Sequence, residues 1–149
     1  MSATPNILIV ESRFYPEIAD QLLGGATAAL KAAGANFEVI EVPGAMEIPA
    51  AINFAAVGNG GFDGFVALGC VIRGQTSHYD HVCKQCFEGL RCVSLEHALA
   101  IGSGVLTVEN SNQAMARAAQ DQKNKGAEAA RACLELIRLK GRFGLSADQ

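Results

Sequence analysis

The tightest constraint on what this chain can fold into lies in residues 65–83, FVALGCVIRGQTSHYDHVC, where an apolar run meets a glycine stop and then a helical pattern. Phe65, Val66, Ala67 and Leu68 show no polar alternation, the pattern of a strand covered on both faces of a parallel sheet. Arg73-Gly74 breaks the run, and Thr76 or Ser77 can cap the helix that follows. A helix opening there aims several backbone N–H groups, carrying about half a positive charge between them, into the space beyond the strand. That suits a phosphate. Two hydroxyls (Thr76, Ser77), the His78 imidazole and the Arg73 guanidinium fall within six residues of one another.

The rest of the chain alternates strand and helix around this stretch. Residues 6–10 (NILIV) form a compact apolar strand, and the turn after it carries Phe14 and Tyr15, where a ligand could meet them. From Pro16 to Ala33, Ile18, Leu22, Ala26 and Leu30 recur every four positions, the stripe of an amphipathic helix with proline near its start and Gly34 at its end. Residues 37–42 (FEVIEV) alternate apolar and acidic side chains, as an edge strand does. Pro49 fits only the first turn of the next helix, which reaches about Val57. The spacing predicts a third strand over 64–68, a helix from Ser77 to about Arg91 and a fourth strand over 100–108. The fourth strand contains Gly102 and Gly104, which mark a close backbone approach. Asn110 or Ser111 caps a short helix through Gln120. A last helix buries Ala127, Ala130, Leu134 and Ile137, with Arg131 and Glu135 paired outside.

This order predicts an α/β fold, a single domain over residues 1–149 with a four-stranded parallel sheet flanked by helices on both faces, a three-layer sandwich. Ligands of such sheets bind beyond the carboxyl ends of the strands. Those ends carry Phe14, residues 44–47, residues 73–78 and residues 107–110.

Composition removes several alternatives. A net charge of −3 and a pI near 5.6, with no run of Lys or Arg, give no electrostatic footprint for nucleic acid or an acidic membrane. No apolar segment approaches the roughly 18 residues of a membrane span, and the first residues lack a signal-peptide pattern, so a cytoplasmic protein is expected. Five cysteines, an odd number, argue for reduced thiols. With 50% apolar residues and a mean hydropathy of +0.19, some apolar surface is expected to lie under other subunits.

Two motifs point elsewhere and fail on inspection. Gly69-x4-Gly74-Gln75-Thr76 is one residue from a P-loop, but Gln75 stands where the lysine that reaches the terminal phosphates is required. The loop can still hold a single phosphate. His78, His81, Cys83 and Cys86 could be read as zinc ligands, yet on one helix they spread over about two turns, whereas tetrahedral zinc gathers ligands from separate elements. Cysteines packing a helix are the simpler reading, and no metal is expected. His78, in the first turn beside hydroxyls, is the candidate for proton transfer, while His97 and His81 read as structural or surface residues. Arg117 could be a solvated charge or an anion ligand, and Glu47 a first-turn carboxylate or a ligand group.

Taken together, Arg13-Phe14, VPGAMEIP (42–49), LGCVIRGQTSHYD (68–80), GVLTVEN (104–110) with Gln113-Ala114, and Asn124-Lys125-Gly126 resemble the lumazine synthase family over essentially the whole chain. The resemblance implies condensation of 5-amino-6-(D-ribitylamino)uracil with 3,4-dihydroxy-2-butanone 4-phosphate, losing phosphate and water, with no metal or organic cofactor. It implies that Phe14 stacks on the pyrimidine, that Gly44, Ala45, Met46 and Glu47 bind the ribityl chain, and that the Val71 and Ile72 backbone holds the uracil edge. Gly74, Gln75, Thr76 and Ser77 would cradle the phosphate with Arg117. His78 would move protons and Lys125 would stand at the outer edge. Ser103 occupies the position where many relatives carry an aromatic residue that forms the pocket's second wall. The resemblance further implies small-molecule substrates, a homopentamer or an assembly of pentamers with sites between subunits, and association with riboflavin synthase. A non-catalytic flavin or lumazine binder on the same scaffold is the competing class.

Overall fold

The computed structural model describes residues 4–145. Four strands, β1 (Asn6–Ser12), β2 (Asn36–Val42), β3 (Gly64–Ile72) and β4 (Ile101–Val108), form one sheet in the order β2-β1-β3-β4. All pairings are parallel, from Asn6 opposite Asn36 on one side to Ile72 opposite Val108 on the other. Five helices connect and cover them: α1 (Pro16–Ala32), α2 (Ile48–Val57), α3 (His78–His97), α4 (Ser111–Ala118) and α5 (Lys125–Arg142). A short 3-10 turn, Ala45–Glu47, precedes α2. This is the expected doubly wound sandwich.

Strand alternation sorts the core into two faces. Ile7, Ile9, Val66, Leu68, Leu106 and Val108 point toward α1, α4 and α5, packing on Leu22, Leu30, Ala118 and Ala130. Leu8, Val10, Phe65, Ala67 and Val105 point toward α2 and α3, packing on Ile48, Ile52, Cys86 and Leu90. Cys86 is thus a core side chain, as its helical setting suggested, and Cys83 is half-buried.

Several boundaries differ from those predicted. β1 continues to Ser12, because it stays paired that far along β2 and as far as Glu11 along β3. β3 continues past Leu68 through Gly69, Cys70, Val71 and Ile72, because β4 offers ladder partners for each of them. α3 continues past Arg91 to His97 and ends at Ala98 in the left-handed conformation, φ 52°. Ser77 is the cap residue of α3, but its side chain makes no capping bond; the Thr76 hydroxyl instead accepts the His78 N–H at 3.3 Å. Asn110 caps α4 by accepting the Gln113 N–H at 2.9 Å. On α5, Glu135 accepts bonds from Arg138 at 3.1 Å and not from Arg131, since i,i+3 residues are also neighbours on a helix. Cys133 supplies the buried stripe where Leu134 and Ile137 are only half-buried.

Two glycines let α5 touch backbone. A methyl group on Gly126 would lie 2.0 Å from the Leu22 carbonyl oxygen of α1, and one on Gly102 would lie 1.9 Å from that of Ala129. No rotamer change relieves a clash with a carbonyl. Gly126→Ala is therefore expected to lower unfolding free energy by about 1–3 kcal/mol through forced separation of α1 and α5. Gly141 sits in the same helix with nothing near its missing Cβ. Gly141→Ala should be neutral or gain up to about 1 kcal/mol by helix propensity. Denaturant unfolding of both variants checks this, and equal costs at the two positions would refute the steric account.

Candidate active site

The carboxyl ends of β1, β2 and β3 surround a cavity of about 470 Å³. Each end contributes a segment whose local sequence explains its shape. Beyond β1, Ser12 lines the floor and Phe14 and Tyr15 stand at the entrance, their rings 5.1 Å apart and edge-on at 68°. Phe14 is 72% exposed, an apolar shelf left open by the described residues. Beyond β2, Pro43 ends the strand. Gly44, Ala45, Met46 and Glu47 then turn along the cavity wall, held by the Glu47 N–H donating to the Gly44 carbonyl at 3.2 Å. Met46 and Glu47 are exposed and Ala45 anchors the turn in the core.

At the end of β3, Cys70, Val71 and Ile72 form the floor, and beyond it Gly74, Thr76, His78 and Tyr79 form the far wall. The Arg73 N–H continues the ladder by donating to the Val108 carbonyl at 2.9 Å, and the chain then leaves the sheet. The Ser77 carbonyl accepts from Asp80 and His81, so residues 74–77 form an exposed bend that feeds directly into α3. His78 is exposed on the cavity side of the first helical turn.

The structure thus brings Phe14, Gly44, Ala45, Met46, Glu47, Val71, Ile72, Gly74, Thr76 and His78 to one cavity. Gln75 and Ser77 belong to the same bend but do not form its wall. Three sequence-predicted residues lie elsewhere. Ser103 is exposed in the middle of β4, paired with Ala67, well short of the carboxyl end of the strand. Arg117 folds back along α4, its Nη1 donating to the Gln113 carbonyl at 3.1 Å. Lys125 pairs with Glu128 at 3.1 Å in the first turn of α5. Within this chain none of the three reaches the cavity. Sequence reading missed Ser12, Pro43, Cys70, Tyr79 and Val82 as wall residues. The predicted length of β3 concealed Cys70, whereas Tyr79 was in view beside His78.

The titratable groups around the floor are shaped by burial. Glu11, 5% exposed, has its carboxyl pushed up by burial, and the Arg13 guanidinium at 2.9 Å pulls it part of the way back. Arg13 also pairs with Asp20 of α1. Burial raises Tyr15, with a smaller push from Cys70, and burial raises Tyr79. Burial alone pushes the Cys70 thiol up to about 11.

This is a doubly wound α/β protein with an aromatic shelf, a turn of backbone and carboxylate, and an imidazole on a helix opening, all at the carboxyl ends of its parallel strands. The family model described as 6,7-dimethyl-8-ribityllumazine synthase matches residues 4–141, and the chain belongs to that family. Similar proteins named 6,7-dimethyl-8-ribityllumazine synthase include that of Bartonella tribocorum, 54% identical over 144 residues, spanning 97% of this chain and 95% of that protein. Those of Agrobacterium fabrum (53% identical, 94% and 97% spanned) and Sphingopyxis alaskensis (50% identical, 94% and 98% spanned) match over similar extents.

The buried thiols make stability fall at alkaline pH. Cys70 and Cys86 are pushed up to about 11 and Cys133 to about 12, each chiefly by burial, from an ordinary value of 9.0. The folded chain therefore keeps protons that the unfolded chain releases. The stability these neutral thiols contribute is complete below pH 9 and is lost as pH rises through 11 to 12. Denaturation midpoints measured under reducing conditions should decline across that window, and Cys133→Ala should show a shallower decline than the unsubstituted protein. Parallel declines would mean that Cys133 titrates freely in the fold.

Proposed function

We propose that this chain is a 6,7-dimethyl-8-ribityllumazine synthase, joining 5-amino-6-(D-ribitylamino)uracil to 3,4-dihydroxy-2-butanone 4-phosphate with loss of phosphate and water. The observation that carries the reading is the convergence, on one cavity, of Phe14, the 44–47 turn, the end of β3 and the bend that opens α3. In this reading Phe14 stacks on the pyrimidine and the Val71 and Ile72 backbone meets the uracil edge. Glu47 accepts ribityl hydroxyls beside Gly44, Ala45 and Met46. Gly74, Gln75, Thr76 and Ser77 take the phosphate at the positive end of a 20-residue helix.

The reaction needs several proton movements at two adjacent carbons of the phosphorylated substrate. The amine attacks the C2 ketone and water leaves to give a Schiff base; loss of the C3 proton then expels phosphate from C4, the resulting enol tautomerises to a carbonyl at C3, and the ribityl-bearing nitrogen closes the ring there with loss of a second water. His78, in the first turn of α3 and facing the cavity, is the group positioned to move those protons, an effect worth about 10² to 10⁴ in rate. Holding both substrates in contact supplies more, about 7 kcal/mol or above.

The reading includes a homo-oligomer, a pentamer or assembly of pentamers, with Arg117, Lys125 and Ser103 serving the cavity of an adjacent subunit. Two facts support it: these three residues lie away from their own chain's cavity, and Phe54, Val57 and Leu95 on α2 and α3 are each about 70% exposed. A cytoplasmic location accords with the absence, among the described residues, of any helix long and apolar enough to cross a membrane.

The test is to supply both substrates and follow lumazine absorbance and phosphate release together above the uncatalysed rate. Equal formation of both products supports the synthase; tight lumazine or flavin binding without acceleration moves the assignment to a binding protein. His78→Ala should lower kcat by about 10² to 10⁴ while leaving measurable turnover. Arg117→Ala should raise KM for the phosphorylated substrate. Refolding the two inactive or weakened variants together should restore activity, because mixed assemblies contain sites with both native residues. Restoration no greater than the sum of the separate activities would put His78 and Arg117 in the same chain's site.

A further inference from the structure

The Arg73 side chain joins the end of β3 to two other segments. It follows β3 directly, and its guanidinium gathers three groups from two other segments. Nε donates to Glu109 Oε2 at 2.8 Å, in the turn after β4. Nη2 lies 3.3 Å from Asp80 Oδ1, in the first turn of α3, and the guanidinium carbon stacks 4.3 Å from the centre of the Tyr79 ring, which lines the cavity. Between Arg73 and its Asp80 partner run Gly74, Gln75, Thr76, Ser77, His78 and Tyr79, so the pair closes the chain around the bend assigned to phosphate and the imidazole assigned to proton transfer.

The second partner extends the connection. Glu109 donates its N–H to Gln113 Oε1 at 2.8 Å, and the Gln113 carbonyl accepts from Arg117 Nη1 at 3.1 Å. One guanidinium is therefore tied both to the bend after β3 and to the start of α4, the helix that carries Arg117. Exposed ion pairs of this kind contribute little to folding, and Arg73 and its two carboxylate partners are each at least 40% exposed. A planar fork that holds two carboxylates and an aromatic face at fixed angles nonetheless sets orientation in a way a lysine cannot.

We infer that Arg73 is a positioning residue for phosphate capture, orienting the 74–78 bend through Asp80 and Tyr79 and the Arg117 helix through Glu109. This rests on the reading of the bend as the phosphate site. Arg73 stands behind the wall and does not line the cavity itself, so its removal should loosen one substrate's contacts and spare the other's.

The experiment compares Arg73→Ala and Arg73→Lys with the unsubstituted enzyme in steady-state kinetics, varying each substrate in turn, alongside melting temperature and calorimetric binding of inorganic phosphate. Arg73→Ala should raise KM for 3,4-dihydroxy-2-butanone 4-phosphate and weaken phosphate binding, each by about tenfold, with little change in KM for the uracil or in melting temperature. Arg73→Lys should fall between, retaining charge without the fork. Arg138→Ala, which removes an exposed pair on α5 far from the cavity, should change neither KM. An unchanged KM and phosphate affinity in Arg73→Ala overturns the inference, as does an equal rise in both KM values with a lowered melting temperature, which would make Arg73 a general fold contact. Phosphate binding reads the bend without turnover. An unsubstituted protein that binds phosphate in an Arg73-dependent way but makes no lumazine keeps the positioning role and sinks the synthase reading; one that makes lumazine but binds no phosphate overturns the positioning role and leaves the synthase reading standing.

Discussion

The cavity depends on a constraint of chain handedness. Parallel strands joined by right-handed crossovers must send their connecting helices to opposite faces when the strand order reverses. Here β1 feeds β2 on one side through α1, while β2 feeds β3 on the other side of β1 through α2. The chain therefore leaves β1 and β3 in opposite directions, and a crevice opens above them that neither connection fills. Each neighbouring strand end can then supply a short segment without crowding the others. A fold of this order would have a crevice at that place whatever its residues; the side chains decide only what it can hold.

The two helical layers carry unequal parts of that design. On the α1, α4 and α5 side, missing side chains at Gly102 and Gly126 let backbone meet backbone, and Cys133, Ala129 and Ala130 fill the seam with little exposed apolar area. That seam is closed within one chain, while Leu136 and Leu139 farther along α5 stay exposed. On the α2 and α3 side, two helices cover a four-stranded sheet incompletely. Ser103 and Thr107 of β4 stay exposed on that face, and so do Phe54, Val57 and Leu95 of the helices themselves.

What was legible in the residues follows the same division. Element type and order were legible because apolar periodicity reports burial, and both faces of this sheet are buried along β1 and β3. Lengths were less so. β3 was predicted to stop at Leu68, since Gly69 and Cys70 weaken an apolar run, yet the ladder to β4 carries it to Ile72; pairing partners are tertiary facts that a strand's own letters do not contain. α3 ran six residues beyond its predicted end for a similar reason. The motif residues of the 44–47 turn and the 74–78 bend were placed together because each follows its strand directly. Ser103, Arg117 and Lys125 were grouped with them by resemblance alone, and a motif specifies that residues share a site without specifying that they share a chain.

The two strands that define the crevice end alike. Arg13 follows the last residue of β1 and reaches Asp20 in α1; Arg73 follows the last residue of β3 and reaches Asp80 in α3. Each arginine also holds a second carboxylate, Glu11 or Glu109, and each loop so pinned displays a ring or an imidazole to the cavity. The surroundings make their consequences differ. Glu11 is buried, so removing Arg13 would strand a carboxylate that burial already disfavours, and the cost would fall on the fold. Glu109 and Asp80 are open to water, so removing Arg73 strands nothing and the cost falls on the geometry of the bend. The same device serves stability at β1 and orientation at β3, and the difference lies in one property, how much water reaches the carboxylate.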